Sequence, residues 1–117
     1  MPKLYSNVLD LIGNTPIVKI NGTYNGYKPK NLYVKLEYFN PGGSVKDRVA
    51  YNMIKTALDN LEIRPDSVII EPTSGNTGVG LALCASILGL KFIAVMPENM
   101  SDERKKLISA YGAEIVL

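Results

Sequence analysis

Histidine and tryptophan are absent from this sequence of 117 residues, and cysteine occurs once. Without histidine there is no Ser-His-Asp triad and no imidazole ligand for a metal. One cysteine can form neither an internal disulfide nor a zinc site. The lone Cys84 lies in the apolar run VGLALCASILGL, where a small buried hydrophobe fits, and an unpaired thiol points to a reducing, cytoplasmic setting. No apolar stretch reaches the ~18 residues of a membrane span, and the opening MPKLYSNVLDLIG lacks the basic-then-apolar order of a secretory signal. Excess charge is also missing. Thirteen basic and 11 acidic residues leave a net charge of +2, scattered along the chain, so no nucleic-acid footprint is present. The densest run, ERKKL from Glu103 to Leu107, opens with an acid on a predicted amphipathic helix and reads as a solvated face.

What is present suits a folded domain. Apolar residues make up 46% and charged residues 21%, and a chain of this length buries roughly two-thirds of the surface it exposes when unfolded. Periodicity predicts strands at LYVKLE (Leu32 to Glu37), SVIIEP, KFIAVMP and AEIVL. Between them it predicts a helix from Val45 to about Leu61, with apolar positions Val49, Met53, Ile54, Ala57, Leu58 and Leu61. A second helix is expected over Thr77 to Leu88, stopped at Gly89, and a third over Asp102 to Tyr111, ended by Gly112. Strands this apolar, alternating with helices, predict a three-layer α/β fold: an open parallel sheet flanked by helices, joined by right-handed crossovers. TPIVKIN near the start reads as one more strand, set apart by the loop Asn21 to Asn31.

Ligands of such sheets bind outside the carboxyl ends of the strands, where turns lead into helices, and two turns stand out there. FNPGGSVKD and EPTSGNTG are expected to face one crevice. In the first, Pro41 and Gly42 fit the middle of a type II turn, and Ser44 with Asp47 matches a capping box. Lys46 then falls in the first helical turn. There the dipole and the unpaired N–H groups disfavour an ammonium and raise the fraction of free amine, the form that attacks an aldehyde. In the second turn Thr73, Ser74, Gly75, Asn76 and Thr77 bring hydroxyls and an amide to a helix N-terminus, a setting for a small carboxylate or phosphate. Neither turn carries the spacing of a P-loop or of the dinucleotide fingerprint.

LIGNTPIVKI, NPGGSVKDR, EPTSGNTGVGLAL and MPENMSDERKKLISAYGAEIVL together resemble the N-terminal part of the cysteine synthase (O-acetylserine sulfhydrylase) and cystathionine β-synthase family of fold-type II pyridoxal-phosphate enzymes. The resemblance runs in order over essentially the whole chain. It implies that Lys46 forms the Schiff base with pyridoxal phosphate and shuttles the substrate's α-proton, and that Asn76 hydrogen-bonds the cofactor's 3′ oxygen. It also implies that Thr73, Ser74, Gly75, Asn76 and Thr77 grip the substrate's α-carboxylate. The family reaction is β-replacement on a small amino-acid substrate, an activated serine that accepts sulfide or a thiol. Family members are homo-oligomers, and some bind the C-terminal tail of a serine acetyltransferase.

Family members are longer than this chain. Their phosphate-binding loop and pyridine-nitrogen partner lie in the second half, which is not in this sequence. The expectation is therefore an N-terminal fragment, inactive alone. Residues 1–31 would carry a strand of an absent large domain, and residues 32–117 a small βαβαβαβ domain truncated at its end. Cystathionine β-synthase, or a related β-substituted-alanine synthase, is the nearest rival. A non-catalytic carboxylate-binding or assembly module is the alternative of another class.

Overall fold

The computed structural model describes residues 2–117. The chain opens with a short 3-10 turn, Val8–Leu11, capped by Asn7, whose side-chain oxygen accepts from the Leu9 N–H at 2.8 Å. Leu9 is buried and anchors this segment to the core.

Strands β1 (Ile17–Lys19) and β2 (Tyr33–Lys35) pair antiparallel, Val18 opposite Val34. Strand β2 had been expected in the parallel sheet. It lies instead in a separate ribbon with every residue exposed, because the TPIVKI and LYVKLE segments satisfy each other's backbone. A two-stranded ribbon is marginal by itself in water. The radius of gyration is 17.3 Å, against roughly 13 Å for a compact chain of this length.

The parallel sheet has three strands, β3 (Val68–Pro72), β4 (Lys91–Val95) and β5 (Glu114–Val116), in sequential order. Helices α1 (Lys46–Asp59), α2 (Asn76–Leu88) and α3 (Asp102–Ala110) flank it. Consecutive right-handed crossovers between neighbouring strands place α2 and α3 on the same face. That face carries Phe92 and Ala94, both buried, flanked by Ile69 and Ile115. The opposite face presents Val68, Ile70, Val95 and Val116, all exposed. The expected α/β class, an open parallel sheet flanked by helices, is met, with this second face of the sheet exposed among the described residues.

Helix α2 is buried almost all round from Gly78 to Ala85, as its apolar sequence predicts, and Gly89 stops it in the left-handed conformation (φ +71°). Helix α1 turns only part of the expected stripe inward, with Ala57 and Leu58 half-buried beside Ile54. Asp47, Ala50 and Ile54 are buried, while Val49 and Met53 are exposed, and Leu61 lies past the helix end with φ +59°. Small residues on α1 allow close packing on α2, so the contact follows Ala50 rather than the larger apolar side chains. No helix among the described residues is long and apolar enough to cross a membrane.

Candidate functional site

The turn before α1 closes by a hydrogen bond from the Gly43 N–H to the Asn40 carbonyl, 2.8 Å. Positive φ falls on Gly43 (+91°) rather than Gly42, so the turn is not type II. Gly42 is required for another reason: a Cβ there would stand 2.3 Å from Asp47 Oδ1. The capping box is also replaced. Ser44 Oγ accepts from the Lys46 N–H at 3.1 Å, but the Asp47 carboxylate reaches back to the Gly42 N–H. Asp47 is fully buried, and its Oδ1 has no partner among the described residues. Burial pushes its carboxyl above the usual range, opposed by the Gly42 bond. Lys46 is the first residue of α1, in the first helical turn as expected; it is exposed and forms no ion pair among the described residues.

Sequence reading missed what fixes this turn. Asn40 is only 3% exposed. Its Oδ1 accepts from the Gly13 N–H at 2.8 Å, and its amide hydrogens reach Glu37 O, Glu37 Oε2 and Ser44 O at 2.9, 2.9 and 3.0 Å. Glu37 in turn takes Arg48 Nε at 2.8 Å and Nη2 at 3.1 Å, and the Thr15 hydroxyl. The Arg48 and Thr15 bonds hold the Glu37 carboxyl at about 2. The G-N-T, L-E and N-P-G-G segments thus meet in one polar knot beneath the turn that presents Lys46. Its signal in the sequence was a row of polar residues in an otherwise apolar neighbourhood. Their partners are up to 33 positions apart, so no local pattern reveals them.

The second turn is tied to the sheet by the Thr73 N–H, which donates to the Val95 carbonyl at 2.9 Å. Helix α2 begins at Asn76, one residue earlier than predicted, with Gly75 extended before it. The N–H groups of Asn76 and Thr77 meet no acceptor among the described residues. Thr73 is folded onto Gly78, where a Cβ would stand 2.7 Å from its methyl group. Asn76 Oδ1 accepts from Arg104 Nη1 of α3 at 2.8 Å. Ser74 is exposed, and Gly75 and Thr77 are half-buried.

The two turns come together at one residue each, and Lys46, Thr73, Ser74, Gly75 and Thr77 are not among the residues that line the depression between them. Gly42 and Asn76 line one open depression of about 300 Å³, with Val79, Ser101, Glu103, Arg104 and Leu107. Gly80, one turn along α2 from Asn76, lets the helices close up: a Cβ there would stand 2.9 Å from the Lys46 carbonyl oxygen. The spacing of Lys46 from the first turn of α2 is therefore set by direct backbone contact.

A family model described as pyridoxal-phosphate dependent enzyme matches residues 8–117. This chain belongs to that family. A cysteine synthase of Flavobacterium sp. is 56% identical over 113 residues, covering 97% of this chain and 36% of the relative. A cystathionine β-synthase of Apis mellifera is 50% identical, over 97% of this chain and 23% of its own length. Among solved structures, a hydrogen sulfide-producing enzyme of Fusobacterium nucleatum superposes with a TM-score of 0.94 at 50% identity, covering all of this chain and 38% of that one. The chain spans about a third of the length of the curated cysteine synthases it matches.

The residues in hand fit their share of the family's cofactor. An exposed primary amine heads α1, and an amide and two unmet N–H groups stand at the head of α2, the helix packed against it. No metal-holding group of His, Cys, Asp or Glu occurs among the described residues.

Proposed function

We propose that this chain is the lysine-bearing part of a cysteine synthase, which converts O-acetyl-L-serine and sulfide into L-cysteine and acetate. The observation that carries the reading is the close approach of Gly80 to the Lys46 carbonyl, which sets the backbone that presents the amine beside the Asn76 turn. Pyridoxal phosphate, when bound, supplies the electron sink for β-elimination and β-addition. Lys46 would hold the cofactor through its Nζ, and the same amine would accept and return the substrate's α-proton. Asn76 would donate to the cofactor's 3′ oxygen. The unmet N–H groups of the second turn, with the Ser74 and Thr77 hydroxyls, hold the substrate carboxylate and orient the Cα–H bond toward Lys46.

The relatives favour β-replacement but leave its partner open, because a cystathionine β-synthase matches at 50% identity. That activity, with a thiol amino acid in place of sulfide, is the second reading. The chain spans a third of its relatives, so it is proposed to bind cofactor weakly alone and to turn over negligibly. The open sheet face and the exposed ribbon suit homo-oligomerisation or capture by a complementary part of the enzyme. A serine acetyltransferase tail would seat in the crevice only when the rest of that crevice is present. A non-catalytic role as a carboxylate-binding module is disfavoured by the exposed lysine at the head of α1, which such a module does not need.

The test is titration of the purified chain with pyridoxal phosphate, followed by borohydride reduction and peptide mapping. Saturable labelling at Lys46, lost in Lys46→Ala, is the expected result. Labelling spread evenly over the lysines would overturn the reading for this chain.

A further inference from the structure

Asn76 has two chemically opposite ends, and the fold decides which one faces the depression. An arginine guanidinium carries donors only, so the atom it meets at 2.8 Å is the amide oxygen, Oδ1. The nitrogen end is thereby turned away from Arg104. We infer that Arg104 is a positioning residue, which holds the Asn76 amide so that it presents donors, and not an acceptor, to whatever occupies the depression they both line.

The packing of α3 on α2 lies behind this. Ile108, one helical turn after Arg104 and fully buried, packs its Cδ1 against Gly78, two residues after Asn76; a Cβ on Gly78 would come within 3.2 Å of it. Helix α3 is thus keyed to the first turn of α2, and Arg104 lands on Asn76 as a consequence. At the head of α3, the Ser101 hydroxyl accepts from the Arg104 N–H, which fixes the backbone from which the guanidinium extends. Arg104 forms no ion pair among the described residues, although Glu103 lines the same depression, so its donors remain available for Asn76.

The ligand class follows from the amide's polarity. A carbonyl or phenolate oxygen is accepted at this position, and a group with donors only, such as an ammonium, is refused. This rests on the proposed function insofar as the acceptor is the cofactor's 3′ oxygen. The orientation of the amide does not depend on it.

Two measurements on this chain separate the points. The first needs no cofactor: nitrogen–proton spectra of the side-chain amides, with the Asn76 pair identified by its loss in Asn76→Ala. Arg104→Met should shift the Asn76 pair and Arg104→Lys should largely preserve it. An Asn76 pair unmoved by Arg104→Met overturns the inference. The second is pyridoxal-phosphate labelling of Lys46, which should fall about threefold to tenfold in Arg104→Met at subsaturating cofactor, and recover in Arg104→Lys. Unchanged labelling and an unchanged absorption spectrum of the bound cofactor in Arg104→Met would also overturn it. Absence of selective Lys46 labelling in the unmodified chain would instead count against the proposed function, and the amide spectra would still decide the role of Arg104.

Discussion

Replacing Asn40 tests whether the polar knot, rather than the glycines alone, holds the turn that carries Lys46. Asn40→Ala removes the acceptor for Gly13 N–H and the donors to Glu37 O, Glu37 Oε2 and Ser44 O, in a position only 3% exposed. At about 1 kcal/mol net for each bond, with some relaxation and water entry, the loss is about 2–4 kcal/mol. An unfolding entropy of about 2.1 cal/mol/K per residue converts each kcal/mol into about 4 °C for a chain of this length, so the midpoint should drop by roughly 8–16 °C. Asn40→Asp should be worse at pH 7, although it is nearly the same size and can still accept from Gly13. Its second oxygen replaces a donor and faces the Glu37 carboxylate. Because Glu37 stays ionised down to about 2, the new carboxyl is the one forced to take a proton, and its folded pKa lies above its unfolded value. The deficit is then complete above that raised pKa and shrinks as pH falls toward 4, where the protonated carboxyl can donate as the amide did. Urea and thermal unfolding of both variants at pH 7 and pH 4 would measure this. If Asn40→Asp matches the unmodified chain at pH 7, or if the gap between the two variants is the same at both pH values, the knot does not work as described.

Gly80→Ala tests the contact that sets the Lys46 position. Alanine gains about 1 kcal/mol of helix propensity, but its Cβ meets the Lys46 carbonyl oxygen at 2.9 Å and Ala50 Cβ at 3.1 Å, neither at the end of a flexible side chain. Overpacking of about 1–3 kcal/mol should win, giving a lower urea midpoint and reduced cofactor labelling of Lys46. A stabilised variant with unchanged labelling would show that the helices have slack there. Cys84 is fully buried, and burial, aided by the nearby Asp47 charge, pushes its thiol up to about 12. It should react with a thiol reagent at pH 8 about three orders of magnitude more slowly in native buffer than in denaturant. A thiol whose folded pKa is raised contributes stability below its unfolded value that is lost as pH climbs toward 12, so alkaline unfolding should release it. Rapid modification of the native chain would contradict that burial.

The sequence by itself determined the order of elements, because hydrophobic periodicity and glycine stops are local properties. Gly89 and Gly112 end α2 and α3 where their positive φ requires glycine, and the apolar run through Cys84 is a buried helix. It also marked Lys46 and the Thr73–Thr77 turn, since a strand, a turn and a helix start are all read within a few residues. It did not determine which strands pair. LYVKLE has the composition of a parallel strand, and only the return of the chain at Ile17–Lys19 draws it into an antiparallel ribbon. Nor did it show that Gly42 makes room for Asp47, that Gly80 makes room for Lys46, or that Arg104 takes the oxygen of Asn76. Those are contacts between residues distant in sequence or on separate turns of backbone. Side-chain chemistry can be listed from a sequence, but which donor meets which acceptor is decided by the packing of α1, α2 and α3 into one another.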